Sequence, residues 1–493
     1  MFLVDRLILI GAALLVTGIV SSRLSTRLGL PVLVLFLCIG LMAGAERFGG
    51  IVFDDYALAH GIGTLALAVI LFDGGLRSSA EAFRTALAPG LTLATAGVVV
   101  TAVVTAWIAH GILDLPVFWG LLLGSIVSST DAAAVLSTLR SRDLHLRRRI
   151  AATLEVEGGS NDPMAIFLTV AMLELVLGRI EPGPALVQLF LLQMSVGAVA
   201  GVLVGKAAVG AINRVDLDAA GLYPVLATAI ALLAFGVASV LGGSGFLSVY
   251  LTGIILGNSR LVAQRGIHLF HDGAAWMAQV TMFVLLGLLA DPARLVAIAP
   301  QGLLLSAVVL FISRPVAVGA LLPWFGYRAR EIAIISWVGL KGAVPIVLAL
   351  SPLLLGVEGG ETLFDVVFYV VIVSAILQGW SLPPLARLLG VKAPPEPEPP
   401  VTLEITSLRH VEGDIVDYTV TPDSRAAGRA LRDLRLPDGA VVAMIVRGQR
   451  IIPPRGSTRI EPHDHAFLVL GPGVRPLVDR VFGRAGVTRD QLP

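Results

Sequence analysis

Long apolar runs recur along this chain from its amino terminus to about residue 389. A helix that crosses a bilayer needs about 20 mainly apolar residues, and by that measure the sequence predicts thirteen crossings. Hydrophobic residues make up 56% of the 493 positions and charged residues only 14%, a composition unlike that of an ordinary soluble domain. The chain is therefore predicted to be a polytopic membrane protein, all-α within the lipid bilayer.

The predicted crossings are separated by short polar loops. They cover residues 5–22, 28–45, 57–76, 86–110, 116–139, 150–177, 185–205, 222–241, 244–259, 273–290, 299–322, 331–355 and 361–389. Fifteen Lys and Arg residues lie in the loops after odd-numbered crossings up to the eleventh, against three after even-numbered ones. Cytoplasmic loops carry the positive excess, so the amino terminus is predicted outside the membrane and the carboxyl-terminal part in the cytoplasm.

Charge content rises sharply near residue 400. The last 93 residues hold 13 Arg and 11 acidic residues, and residues 391–400 are half proline, a composition that forms a stiff extended spacer. We predict a transmembrane domain at 1–390, a linker at 391–400 and a small cytoplasmic α+β domain at 401–484. Within that last domain the pattern predicts strands at 415–420, 441–446, 451–452 and 466–470, and a helix near 424–434.

Two predicted crossings contain helix-breaking sequences. Ser128-Ser129-Thr130-Asp131 lies inside the fifth, and these residue types cap helix starts, so a second half-helix is expected from Ala132. Gly339 to Pro345 interrupts the twelfth, and proline removes a helical donor. Because broken helices in two halves of a chain are typical of inverted-repeat transporters, we predict two broken crossing helices, with Asp131 and Lys341 neutralising the exposed helix ends.

An acidic stretch, Glu155 to Pro163, heads the sixth predicted crossing. A carboxylate within the bilayer is costly and usually marks an ion or proton site, so Asp162 is the leading candidate. Burial favours the protonated form of a carboxyl and a bound cation favours the ionised form, so one Asp can exchange a proton for a cation. The plainer alternative is that Asp162 only hydrogen-bonds a neighbouring helix.

Hard oxygen ligands for an alkali cation lie near this acid. Thr130 and Asp131 offer a hydroxyl, carbonyls freed by the break and a carboxylate, and Asn161 and Ser160 add neutral oxygens. The expected cation position is between Asp162 and Thr130. The alternative for Thr130 and Asp131 is a helix cap without ligand duty.

Other buried charges have structural interpretations. Glu157 needs a cationic partner, and Arg314 in the eleventh crossing is the best one available, with Lys341 as a dipole-compensating or substitute partner. Glu155 lies on the face of Asp162 and is expected either to line a cytoplasmic entrance or to be a plain interfacial acid. Asp73 is expected either in a vestibule or in a solvated pair with Arg77.

Several functions are not supported by the sequence. It contains neither a Gly-x4-Gly-Lys-Ser/Thr phosphate loop for ATP nor the Thr-Val-Gly-Tyr-Gly filter of potassium channels. A net charge of +1 gives no argument for nucleic-acid binding. The chain is predicted not to be an enzyme and to carry no resident cofactor.

Residues 5–389 resemble the monovalent cation/proton antiporter superfamily in its NhaP-type branch. The family's Glu-x-Glu-Ser-x-x-Asn-Asp run is similar to Glu155 through Asp162, its Thr-Asp pair to Thr130-Asp131, and its intramembrane Arg to Arg314. Gly158 departs from the pattern, since many members have a cation-binding Ser there. The resemblance implies a homodimer, an elevator-like movement of the core and exchange of one cation for one proton.

The carboxyl-terminal part resembles the RCK-C (TrkA C-terminal-like) domain of potassium-conductance regulators, notably at Gly428-Arg429-Ala430-Leu431 and Ile445-Val446-Arg447. The whole chain is thus similar to the cell-volume-regulation potassium/proton antiporters of the bacterial inner membrane, which implies K+/H+ exchange and a small-molecule ligand on the cytoplasmic domain. Na+/H+ antiport by the same fold and a ligand-gated cation channel are the alternatives.

Overall fold

Two compact units make up the chain, residues 1–394 and residues 395–493. The computed structural model describes residues 9, 11–20, 32–44, 53, 55–131, 135–136, 139, 144–393, 414–422, 424–448, 450–471 and 474–483. The half-helix expected from Ala132 begins outside these residues.

The first unit is a multi-pass helical membrane domain. Its helices are α1 (Gly11–Val20), α2 (Val32–Gly44), α3 (Tyr56–Arg77), α4 (Ala80–Leu113), α5 (Val117–Ser128), α6 (Arg148–Val176), α7 (Pro184–Arg214), α8 (Leu222–Val240), α9 (Gly245–Gly257), α10 (Gln264–Leu289), α11 (Pro292–Phe325), α12 (Ala329–Trp337), α13 (Val344–Leu354) and α14 (Gly360–Leu388). Among the described residues, seven helices are long and apolar enough to cross a membrane: α3, α4, α7, α8, α10, α11 and α14. The count of thirteen crossings and the inverted repeat stay predictions.

Short polar side chains fix where several of these helices begin. The Asp55 carboxylate accepts a hydrogen bond from the Leu58 amide at 2.8 Å at the start of α3. Ser79 caps α4 in the same way, and Ser244 caps α9. Each cap satisfies one of the amide groups that a helix start leaves unpaired, so the local sequence sets these boundaries.

Glycines let some helices approach each other closely. A Cβ placed on Gly40 of α2 would lie 2.0 Å from the Val284 carbonyl oxygen, and one on Gly287 of α10 would lie 2.3 Å from the Leu37 carbonyl oxygen. Small residues at helix crossings allow tight packing where both surfaces are apolar. Substituting either glycine would therefore separate α2 from α10.

Helix α6 carries the acidic stretch and packs against α4 and α5. Helix α11 packs against α14 and contains a π-helical turn, Val309–Ser313, directly before Arg314. An extra residue in a turn rotates the side chains that follow it, and such turns are common at functional sites. The turn thus helps set the direction in which Arg314 projects.

The chain that leaves α14 is joined to the start of α6. Strand β1 (His145–Leu146) pairs antiparallel with β2 (Lys392–Ala393), and the Arg147 amide donates to the Val391 carbonyl at 3.0 Å. Val391 is buried in the same apolar cluster as Leu146 and other residues of this region. The carboxyl end of α14 therefore lies beside the amino end of α6.

The second unit is a small antiparallel sheet with one helix. Its elements are β3 (Asp414–Thr419), β4 (Ala440–Arg447), β5 (Arg450–Ile452), β6 (His465–Leu470) and α15 (Arg475–Phe482), and the strand order is β3-β6-β4-β5. Val416 pairs with Leu468 and Val441 with Val469. Val478 and Phe482 of α15 complete the apolar core. The α+β class predicted for this domain agrees with the observed elements.

The helix predicted near 424–434 is wrong. This segment is mostly turns, and its only helical element is the short 3₁₀ turn Leu431–Asp433. Gly428 has φ +77, a left-handed conformation that interrupts a right-handed helix. Ala430 forms an antiparallel bridge to Arg459, so tertiary pairing outweighs the local helical pattern.

A buried acid anchors the end of β4. Asp464, with 0% exposure, accepts hydrogen bonds from Arg447 at 2.8 Å (Nε) and 2.9 Å (Nη2). These hydrogen bonds raise the pKa of Arg447 above its ordinary value, so the guanidinium stays charged. Arg447 lies in the Ile445-Val446-Arg447 run that resembles the RCK-C domain, and here its role is to hold the turn before β6.

Candidate functional site

The two predicted breaks lie side by side in the structure. Helix α5 ends at Ser128 and Ser129 is extended, while α12 ends at Trp337 and α13 begins at Val344. The Asp131 amide donates to the Leu340 carbonyl at 2.7 Å. The break predicted in the twelfth crossing is thus confirmed, and it meets the fifth crossing directly.

Each broken segment supplies a charge to the other one. The Lys341 ammonium donates to the Ser129 carbonyl at 2.9 Å, at the carboxyl end of α5. The Asp131 carboxylate lies against Gly342, where a Cβ would be 2.9 Å from Asp131 Oδ2, just before α13 begins. Cations are favoured at helix carboxyl ends and anions at amino ends. The predicted dipole compensation is present, but it runs crosswise between the two segments.

Asp162 lies beside the break in the fifth crossing. The Ser129 hydroxyl donates to Asp162 Oδ1 at 2.5 Å, and the Asp162 residue is only 9% exposed. Within the described part of the chain, Asp162 forms no salt bridge. A buried carboxylate that has a neutral donor instead of a fixed cation can be neutralised by a mobile proton or cation.

Asn161 connects α6 to Thr130, the residue that follows Ser129 in the break. Its side-chain nitrogen donates to the Thr130 hydroxyl at 2.6 Å and to the Thr130 carbonyl at 3.1 Å. Its Oδ1 is buried and has no hydrogen-bond partner among the described residues. An oxygen in this state is free to approach a cation.

Glu157 forms the ion pair that the sequence predicts. Arg314 donates through both terminal nitrogens to the two carboxylate oxygens, the Nη2 to Oε2 distance being 2.9 Å. Both residues are buried, at 1% and 3% exposure. Bidentate pairing of this kind satisfies both charges at once, so the pair ties α6 to α11.

The remaining candidates lie apart from this centre. Glu155 accepts a hydrogen bond from the Ser79 amide at 2.7 Å and so holds the start of α4. Asp73 accepts from Arg77 Nε at 2.7 Å, and Arg77 also contacts Asp272. Asp73 is therefore paired, although its own side chain is more buried than a solvated pair suggests.

Ser160 lies on α6 on the side of Tyr250. Tyr250 from α9 reaches α6, since a Cβ on Gly159 would collide with the Tyr250 hydroxyl, and this hydroxyl is 3.2 Å from Ser78 Oγ. Ser160 directly follows Gly159 on α6.

Two contacts at the site were missed from the sequence. The sequence predicts Ser129 as part of the break and places the cation between Asp162 and Thr130. In the structure, the hydroxyl that contacts Asp162 is that of Ser129. The polar run inside an apolar helix was the available signal, and it does not indicate which hydroxyl faces α6. The sequence does not indicate that Tyr250 contacts α6, because a single Tyr in an apolar run is ordinary.

The donor set suits a hard monovalent ion. Carboxylate, hydroxyl, carbonyl and amide oxygens are the ligands that hard cations accept. The structure brings them together in two pairs on consecutive residues, Ser129 with Asp162 and Thr130 with Asn161. Within the described residues, no group of three or more His, Cys, Asp or Glu side chains could hold a metal ion.

A membrane domain in which a broken helix meets the end of another helix beside a buried acid is typical of secondary transporters. The chain belongs to the sodium/hydrogen exchanger transmembrane family, which matches residues 11–388, and the TrkA-C domain matches residues 415–481. The predicted family and the predicted carboxyl-terminal domain are both confirmed.

Individual relatives are similar over nearly the whole chain. A K(+)/H(+) antiporter NhaP2 of Shewanella baltica is 41% identical over 472 residues, which cover 95% of this chain and 81% of the relative. A K(+)/H(+) antiporter NhaP of Alkalimonas amylolytica is 39% identical over 487 residues, covering 99% and 85%. These relatives are transporters, in agreement with the prediction that the chain is not an enzyme.

Among solved structures, the sodium proton antiporter MjNhaP1 of Methanocaldococcus jannaschii at pH 8 has a similar fold. The match has a TM-score of 0.70 and 23% identity, and it covers 78% of this chain and 99% of that protein. The membrane domain described above therefore has the fold of a known antiporter.

Proposed function

We propose that the chain is a secondary antiporter that exchanges K+ for H+ across the bacterial inner membrane. The observation that carries this proposal is the buried Asp162 carboxylate, held by the Ser129 hydroxyl just beyond the end of α5. The names of the relatives, both K(+)/H(+) antiporters, support the choice of ion.

In this mechanism the proton and the cation compete for Asp162. A proton neutralises the buried carboxyl directly, and a cation neutralises the ionised form together with oxygens of Thr130 and Asn161. When the cation binds, the Ser129 hydroxyl turns its lone pairs toward it. Since one carboxylate changes its partner in each cycle, one cation is exchanged for one proton and the exchange is electroneutral.

The lining residues have separate tasks. Lys341 and Asp131 stabilise the two breaks, Lys341 by donating to the Ser129 carbonyl and Asp131 by lying beside the start of α13. Glu157 and Arg314 hold α6 in position. Glu155 and Asp73 are proposed to have supporting roles, because each already has a protein partner. Ser160 is proposed to have a supporting role beside them.

The proposed architecture has thirteen crossings arranged as inverted repeats, with the amino terminus outside and the carboxyl-terminal domain in the cytoplasm. A homodimer provides a fixed frame against which the broken helices move as an elevator and carry Asp162 between the two faces. The cytoplasmic domain binds a small molecule and adjusts transport for potassium efflux, pH and volume homeostasis.

The test is cation-driven proton movement in everted membrane vesicles with a pH-sensitive dye. The wild-type chain should give dequenching on addition of K+, and Asp162→Ala should give none. Asp73→Ala is the matched control, because Asp73 is another buried acid that pairs with Arg77. A normal response from Asp162→Ala would contradict the proposal.

The same assay separates the alternatives. A series of K+, Na+ and Li+ additions at several pH values distinguishes K+/H+ from Na+/H+ antiport. A ligand-gated channel would instead pass cations without proton movement, and would give single-channel currents in a planar bilayer.

A further inference from the structure

A row of polar side chains on α14 follows the break in the twelfth crossing. Ser374, Gln378 and Ser381 are spaced by four and three residues, so they share one helix face. Ser374 Oγ accepts from the Lys341 amide at 3.1 Å, and Ser381 Oγ accepts from Trp337 Nε1 at 2.8 Å. Ser374 and Ser381 therefore hydrogen-bond to the broken segment at two positions, Lys341 and Trp337.

Gln378, the middle member, has an unsatisfied oxygen. The residue is 2% exposed, and its Oε1 has no hydrogen-bond partner within the described ranges. A buried acceptor left without a donor destabilises the folded state. A native structure rarely keeps such a group without a reason.

Arg314 has a buried donor without an acceptor among the described residues. Its two terminal nitrogens donate to Glu157, and Nη2 also lies 3.4 Å from the Val338 carbonyl. Its Nε is buried and has no partner in the part of the chain that the structure describes. One buried donor and one buried acceptor are thus left over in the same region.

These two groups border the same glycine. A Cβ placed on Gly339 would lie 3.5 Å from Arg314 Nε and 3.6 Å from Gln378 Nε2. The absence of a side chain at Gly339 leaves the approach between them open. Because the nitrogen and oxygen of a Gln amide exchange places by a half-turn, Oε1 can occupy the position nearer Arg314.

We propose that Gln378 is a positioning residue for Arg314. Its oxygen accepts the Nε hydrogen, directly or through one water molecule, and so fixes the plane of the guanidinium that holds Glu157. Glu157 lies five residues before Asp162 on α6, so α14 sets the placement of the exchanging carboxyl through two side chains. This assignment rests on the proposed antiport, because transport is its readout.

The experiment compares variants of the full chain in proteoliposomes over a range of pH and cation concentration. Gln378→Leu removes the acceptor at similar size, and Gln378→Glu keeps an acceptor oxygen. Ser381→Ala is the matched control, since it removes a hydrogen bond of the same row that does not involve Arg314. Gly339→Ala blocks the approach from the other side and provides a second test.

Gln378→Leu and Gly339→Ala should each lower the maximal exchange rate by about tenfold, leave the cation KM nearly unchanged and displace the pH profile. Gln378→Glu should stay within about threefold of the wild type, and Ser381→Ala should keep the wild-type pH profile. If Gln378→Leu folds poorly, Gln378→Glu and Gly339→Ala decide the question.

Wild-type rate and pH profile in both Gln378→Leu and Gly339→Ala would overturn the assignment. So would a change of pH profile in Ser381→Ala as large as that in Gln378→Leu, which would indicate that the whole polar row acts by supporting the broken segment. Failure of the wild-type chain to couple cation and proton movement would instead contradict the proposed function itself.

Discussion

Glu157 and Asp162 lie five residues apart on α6 and are both almost fully buried, at 1% and 9% exposure. Glu157 meets both terminal nitrogens of Arg314, whereas Asp162 meets the neutral hydroxyl of Ser129. A carboxylate paired with a buried Arg cannot take up a proton without leaving that Arg charged and unpaired. Under the proposed mechanism, the comparison teaches that the partner of a buried acid, and not its burial, decides whether it can exchange ions.

The comparison is tested most severely by replacing Asp162. Asp162→Asn keeps the size and the hydrogen-bonding capacity of the side chain but cannot be ionised, so exchange should fall to the background of protein-free vesicles. The amount of folded protein, measured by size-exclusion chromatography, should stay at the wild-type level. Residual pH-dependent exchange in this variant would mean that another acid binds the exchanged proton and cation.

Replacing Glu157 should affect stability first. Glu157→Gln leaves Arg314 buried without its counter-charge, which costs about 3–5 kcal/mol and lowers the thermal unfolding temperature in detergent. Exchanging both partners for apolar residues, Glu157→Leu with Arg314→Met, should recover most of that loss. If the single variant unfolds at the wild-type temperature, the pair is not the structural tie described above.

Ser129 provides a sharper test of the Asp162 side. Ser129→Ala removes a hydrogen bond to a charged group, worth about 1.5–3 kcal/mol, so the cation KM should rise by about tenfold or more. Ser128→Ala is the matched control, because the Ser128 hydroxyl donates to the Ser125 carbonyl at 2.6 Å and not to α6. Equal effects from the two serines would remove Ser129 from the site.

The exposed pair between Arg77 and Asp272 should matter least. The two side chains are 52% and 47% exposed, and exposed pairs contribute about 0–1 kcal/mol. Asp272→Asn should therefore leave both exchange and unfolding temperature close to wild type, at low and high salt. A loss of exchange as large as that of Ser129→Ala would show that charge at this end of α3 also governs the site.

Much of the fold follows from local patterns. Apolar runs of membrane length indicate helices whatever their neighbours, because backbone groups in lipid must be satisfied within the segment. Breaks are equally local, since the residues of Gly339 to Pro345 disfavour helix by their own chemistry. The strands of the carboxyl-terminal domain are also visible as alternation, whereas the helix expected near 424–434 is replaced by turns and by the bridge between Ala430 and Arg459.

The sequence by itself determined the class of protein, the two breaks, the acidic stretch and the match of Glu157 with Arg314, since charge balance in a bilayer leaves few other partners. Only the tertiary structure decided that Ser129 faces Asp162, that Lys341 donates to the end of α5, and that Gln378 and Arg314 border the same glycine. These contacts join positions far apart in the chain. Helical periodicity fixes which face a residue occupies, but the packing of distant helices selects what that face meets.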